Sequence, residues 1–251
     1  MTFRLKAFAL HLLASLAALS GILGTFYLGW YRWPGWYLAD VTQVIIILVG
    51  VDLVIGPLLT LVIADMRKPR RLLARDVSMI AAAQLIALSY GSLSLWHGRP
   101  LYYAFSESVL QQVQAYDISD EERALATNDH VELRPHWYSL PRWIWAPLPQ
   151  DGEVRSKIVT AAISGGDDVI SMPRYYQRWE DGLAALRAQL KQVDDVGYFV
   201  STEKKLLKDR MRAAGYDADQ RNVMPLTGRG RPLLAVFDLS TLRIAAIFRA
   251  K

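Results

Sequence analysis

Three long apolar stretches fill most of the first hundred residues, and they constrain this chain more than any other feature. They run from Ala7 to Trp30, from Val41 to Ala64 and from Val77 to Trp96. A helix of about two dozen residues covers about 36 Å, enough to cross a hydrocarbon core of about 30 Å. Backbone N–H and C=O groups cannot stay unpaired in lipid, so stretches of this kind must be helical. The expected architecture is a membrane α-helical region with three transmembrane helices (residues 1–97), followed by a C-terminal α+β soluble domain (residues 98–251). Arg4 and Lys6 would suit the start of a signal peptide. The apolar run behind them is too long for one, and no small-x-small cleavage site follows, so an uncleaved anchor is expected.

Charge gives the direction of the spans. The 65–76 loop carries Arg67, Lys68, Arg70, Arg71 and Arg75, and the N-terminus carries Arg4 and Lys6. The other short loop, YRWPGWYLAD, has only Arg32 and is rich in the aromatics favoured at a membrane surface. The excess of Lys and Arg on one side places the N-terminus and the 65–76 loop in the cytoplasm, and everything after Trp96 on the far side. Residues 1–97 hold 8 of the 29 Lys and Arg but only 4 of the 24 Asp and Glu, so most of the net charge of +5 belongs to the membrane part. The remainder is close to neutral and leaves no basic stripe for phosphates; nucleic acid is not an expected partner. The absence of cysteine excludes disulfides, thiolate catalysis and zinc–thiolate sites.

Beyond Gly98 the pattern is mixed. Residues 102–105, 109–115 and 143–148 read as strands, and 120–127, 151–164, 180–193 and 201–215 as helices. The run PLLAVFDLSTLRIAAIF reads as a hairpin around Ser240-Thr241. Strands and helices without regular βαβ alternation point to α+β.

Chemistry is sparse. His11, His97, His130 and His136 form no metal-ligand spacing; His11 and His97 are read as lying near membrane boundaries. There is no nucleophile elbow and no nucleotide-binding glycine loop, so no catalytic residue, cofactor or metal is expected. Asp167-Asp168 reads as a solvated turn, and GRGRP (residues 228–232) as a flexible loop before a strand. Asp52 stands apart. It lies near the middle of the second stretch, where a carboxylate costs several kcal/mol unless it is protonated, hydrated or paired. Gly56-Pro57 follows and frees a backbone carbonyl about one turn earlier. Counting inward from the basic ends puts Tyr90 and Ser20 at a similar level to Asp52. Two readings are open: a polar clamp holding the three helices together, or a contact for a partner's helix.

Trp33-Pro34, Asp52, Gly56 to Thr60, Gln84, Ala87-Leu88, Tyr90-Gly91 and Gly98 to Pro100 form a pattern. It closely resembles the type IV pilin accessory proteins of the TfpX/TfpZ group over residues 1–105. The resemblance implies a multi-pass protein of the bacterial inner membrane with a periplasmic C-terminal domain. It also implies a non-enzymatic, chaperone-like role in pilin stability or pilus assembly, with effects on twitching motility and the type IV major pilin as partner. It marks Asp52, Gly56, Pro57, Gln84 and Tyr90 as the intramembrane residues of interest. The alternative is a periplasmic ligand-binding or sensor module acting through a partner membrane protein, since only short segments face the cytoplasm. Oligomeric state is not legible.

Overall fold

In the computed structural model, which describes residues 2–64, 69–126 and 131–250, the chain divides into two compact units. The first holds residues 1–32 and 40–99; the second holds residues 33–39 and 100–251. Arg67 and Lys68 of the basic loop, His130, and the end of the helix expected over 120–127 lie outside the described residues.

The first unit is helical. Helix α1 runs Thr2–Gly29; a short α2 (Gly35–Leu38) belongs to the second unit; α3 (Thr42–Val49) and α4 (Gly56–Ile63) form the second apolar element; and α5 spans Arg70–His97. All three long helical elements are long and apolar enough to cross a membrane. Helices α1 and α5 start earlier than the apolar runs, because Thr2–Lys6 and Arg70–Asp76 are helical despite their charges. Between α3 and α4 the chain makes a wide π-helical turn, Gly50–Ile55, in which Gly56 N–H bonds back to Val51 O. Pro57 explains it: with no N–H, it cannot continue the α-helical ladder. Gly91 of α5 faces α3 so closely that a Cβ there would lie 2.4 Å from Leu48 Cδ2. At one end of the unit the Trp30 and Trp96 rings meet edge to face, and the Tyr31 hydroxyl donates to Leu95 O at 2.7 Å.

The second unit is built on a mixed seven-stranded sheet. Its strands are β1 (Pro100–Ser106), β2 (Val109–Gln114), β3 (Arg142–Trp145), β4 (Gln177–Arg178), β5 (Val223–Thr227), β6 (Leu233–Phe237) and β7 (Ile244–Arg249). The spatial order is β4-β3-β1-β2-β5-β6-β7, with β1/β3 and β2/β5 parallel and the other pairs antiparallel. Besides α2, the described residues of this unit form α6 (Asp120–Ala124), α7 (Gly152–Ile163), α8 (Leu183–Gln189) and α9 (Ser201–Ala213). This is the expected α+β class.

Strand β1 is buried along its whole length because both faces of the sheet are covered. Tyr102 and Ala104 point into a core with Ile144, Ile158 and Tyr176, while Tyr103 and Phe105 point into another with Leu186, Met224 and Leu226. Burial pushes the Tyr103 phenol up to about 12, so it stays a neutral hydroxyl at physiological pH.

Leu38, from the loop that joins the first two spans in sequence, is fully buried in that second core. The reason lies in GRGRP. Gly230 N–H donates to Leu38 O at 2.8 Å, and a Cβ on Gly230 would stand 2.2 Å from Tyr37 O. A Cβ on Gly228 would stand 2.6 Å from Leu38 O. Gln112 Nε2 donates to Gly35 O at 3.1 Å. The glycines are therefore a close-approach seat for residues 35–38 rather than a flexible loop.

Candidate functional site

Asp52 is only 4% exposed, in the middle of the π turn. Its backbone carbonyl has lost both ordinary partners. In an α-helix it would take the Gly56 N–H, which here is spent on Val51 O. In a π-helix it would take the N–H five residues on, and that residue is Pro57. Gln84 of α5 supplies the missing donor, Nε2 to Asp52 O at 3.2 Å. Gly56 makes the approach feasible, since a Cβ there would sit 2.1 Å from Gln84 Nε2. Asp52, Gly56, Pro57 and Gln84 are thus four parts of one arrangement: a proline breaks the ladder, a glycine opens space, and a glutamine fills both needs.

The other end of the Gln84 amide extends the network. Gln84 Oε1 lies 2.7 Å from His11 Nε2, and His11 Nδ1 lies 2.6 Å from Thr60 Oγ1. With the amide nitrogen committed to Asp52 O, Oε1 must accept. His11 therefore carries a proton on Nε2, and in the neutral ring Nδ1 accepts from the Thr60 hydroxyl. A chain of hydrogen bonds joins Thr60, His11, Gln84 and the Asp52 backbone, drawing on all three long helical elements. In an apolar medium each such bond spares a polar group from standing unpaired.

Two sequence expectations about this level are not met. Tyr90 is 75% exposed and takes no part; Gly91 faces α3, and adjacent helical residues diverge by about 100°. Ser20 is also exposed. The cause is the reference point. Counted from the helix starts at Thr2 and Arg70, His11 is about 14 Å in and Gln84 about 21 Å, comparable to Asp52 at about 16 Å from Ile63. His11 is the participant that sequence reasoning missed. Its signal was a histidine several residues inside an uncharged run, where a polar ring needs a partner.

Asp52 Oδ2 is buried and has no hydrogen-bond partner among the described residues. It lines a crevice of about 260 Å³, together with Ala14 and Ala18 of α1 and Ala81 and Leu85 of α5.

In the second unit, Asp167, Asp168, Asp117 and Arg229 share a polar recess of about 370 Å³ floored by Gln112 and Gln114. Asp168 caps the following turn by accepting from Val169 N–H at 2.6 Å, and Arg229 pairs with Asp117 at 3.5 Å. Among the described residues no group of three or more His, Asp or Glu is placed to hold a metal ion.

The chain is similar along most of its length to two proteins of Dichelobacter nodosus. The fimbrial assembly protein of serogroup I is 23% identical over 241 residues, covering 94% of this chain and 91% of that protein. The fimbrial assembly protein of serogroup E1 is 21% identical over the same coverage. The fimbrial assembly protein of serogroups C1 and C2 is 27% identical over 120 residues, covering 48% of this chain and 92% of that protein. No protein-family model matches the chain, and no solved structure matches it.

Proposed function

We propose that this protein is a non-catalytic membrane factor of type IV pilus assembly, of the TfpX/TfpZ kind, which holds pilin until the assembly machinery takes it. The observation that carries the reading is likeness to proteins named for fimbrial assembly over 94% of the chain. The layout supports it: three helices suited to a bilayer, joined to a folded α+β unit. The hydrogen-bonded cluster of His11, Asp52, Thr60 and Gln84 acts in this reading as a clamp that fixes the three helices as one surface. Lys and Arg bias sets the orientation, with the N-terminus cytoplasmic and the α+β unit in the periplasm of a Gram-negative cell.

Two measurements test it. Deleting the gene should strip surface pili and abolish twitching, and wild-type protein supplied in trans should restore both. Membrane pilin levels then separate the routes: low pilin marks a stabilising role, normal pilin a role in assembly. Normal piliation in the deletion strain would refute the assignment. A reporter active only outside the cytoplasm should be active when fused after Trp36 and silent when fused at Lys68; the reverse pattern would overturn the orientation.

A further inference from the structure

Among the buried side-chain atoms of the polar cluster, Asp52 Oδ2 alone has no hydrogen-bond partner among the described residues. A clamp alone does not explain it: the Gln84 amide lies beside the Asp52 carboxyl but places its hydrogen bond on the backbone oxygen, leaving Oδ2 without one. The crevice beside it, of about 260 Å³, is bordered by Ala14, Ala18 and Ala81, side chains short enough to let another helix come close. That volume suits one inserted side chain rather than a whole helix.

We propose that this crevice receives a hydrogen-bond-donating side chain from the transmembrane helix of a partner protein, and that the donor bonds Asp52 Oδ2. The inference rests on the reading above, of a membrane factor that holds another membrane protein, and names the place of contact. The chemistry of the occupant follows from the atom that is left over. A carboxylate offers acceptors only, so the occupant supplies a donor, with lysine or arginine best matched in charge and a serine or threonine hydroxyl sufficient. Lipid tails carry no donor. Headgroups lie about 15 Å from the middle of a core about 30 Å thick, and Asp52 sits near the middle of its span. A donor at that depth comes from another protein helix. The alanines add that this helix approaches along α1 and α5.

Photocrosslinking residues at Ala18 and Ala81, on the crevice, and at Leu13 and Ile86, exposed on the opposite faces of α1 and α5, test this in the full chain in native membranes. The crevice positions should form an adduct with one membrane protein, mapped to an apolar helix beside a donor residue; the control positions should not. Asp52→Leu should cut the adduct roughly tenfold or more, as loss of one charge-assisted hydrogen bond in a dry site would. Asp52→Asn, which keeps an acceptor, should retain part of it. Replacing the partner's donor by leucine should act like Asp52→Leu, and that arm stands even where Asp52→Leu fails to accumulate. Adducts confined to lipid, equal adducts at crevice and control positions, or a yield indifferent to both substitutions would overturn the proposal. If deletion abolishes pili while the adduct ignores Asp52, this inference fails and the pilus reading stands. If deletion leaves pili normal while the adduct depends on Asp52, the reverse holds.

Discussion

Gly56→Ala is expected to lower the membrane abundance and thermal stability of the protein substantially, although alanine is the better helix former. Two effects oppose each other. Replacing glycine within a helical element gains about 1 kcal/mol in propensity. The new Cβ would lie 2.1 Å from Gln84 Nε2 and 2.4 Å from its Cδ, so the amide has to leave. Its departure orphans the Asp52 carbonyl and breaks the bond to His11. Each buried polar group left unsatisfied costs about 1–3 kcal/mol, so the net effect is a loss of several kcal/mol at most and about 1 kcal/mol at least. A double-mutant cycle measured by thermal unfolding in detergent isolates the cause. In a Gln84→Ala background the clash has no partner, and Gly56→Ala should become neutral or mildly stabilising. Equal cost in both backgrounds would show that Gly56 serves something other than room for Gln84.

How much of this was legible beforehand differs by element. The three spans follow from the length of their apolar runs, which hydrophobic pattern alone reveals. Their ends do not, because Arg4 and Lys6 in α1, like Arg70 to Asp76 in α5, continue the helix past the point where hydropathy stops. That offset of one or two turns is what moved the expected level toward Tyr90 and away from His11. In the second unit β1, β2, β3 and the β6/β7 hairpin show in their β-branched, aromatic and alternating residues. Strand β5 does not, because Pro225 sits inside it; the parallel pairing with β2 begins only at Leu226, so the missing N–H breaks no bond there. The helix expected over 180–193 holds only as α8, Leu183–Gln189, since Lys191 turns away to bridge Val223. Asp52 announced itself by chemistry. The carbonyl that Gln84 satisfies could not, since it depends on a π turn visible only in three dimensions.

Leu38→Ala is expected to destabilise the second unit, though Leu38 lies in the loop between the first two apolar spans. Sequence composition reads that loop as an aromatic membrane-surface segment, where one leucine would matter little. Instead Leu38 is 0% exposed and shares a core with Phe105, Leu110 and Leu226. Truncating a leucine in such a site costs about 2–5 kcal/mol, from lost burial and the cavity left behind. For a domain of this size that lowers the unfolding midpoint by about 5–15 °C. Trp33→Ala, four-tenths exposed in the same loop, should cost far less. The glycine seat gives an independent check. Gly230→Ala drives a Cβ into Tyr37 O, a backbone atom that cannot rotate aside, so it should unseat the same segment. Hydrogen exchange would then show faster opening around Leu226 and Leu233 in both variants, and combining them should cost less than the two separate losses together, because the second change acts on a segment already displaced. Full additivity, or a Leu38→Ala midpoint equal to wild type, would mean that the loop rests on the sheet without supporting it.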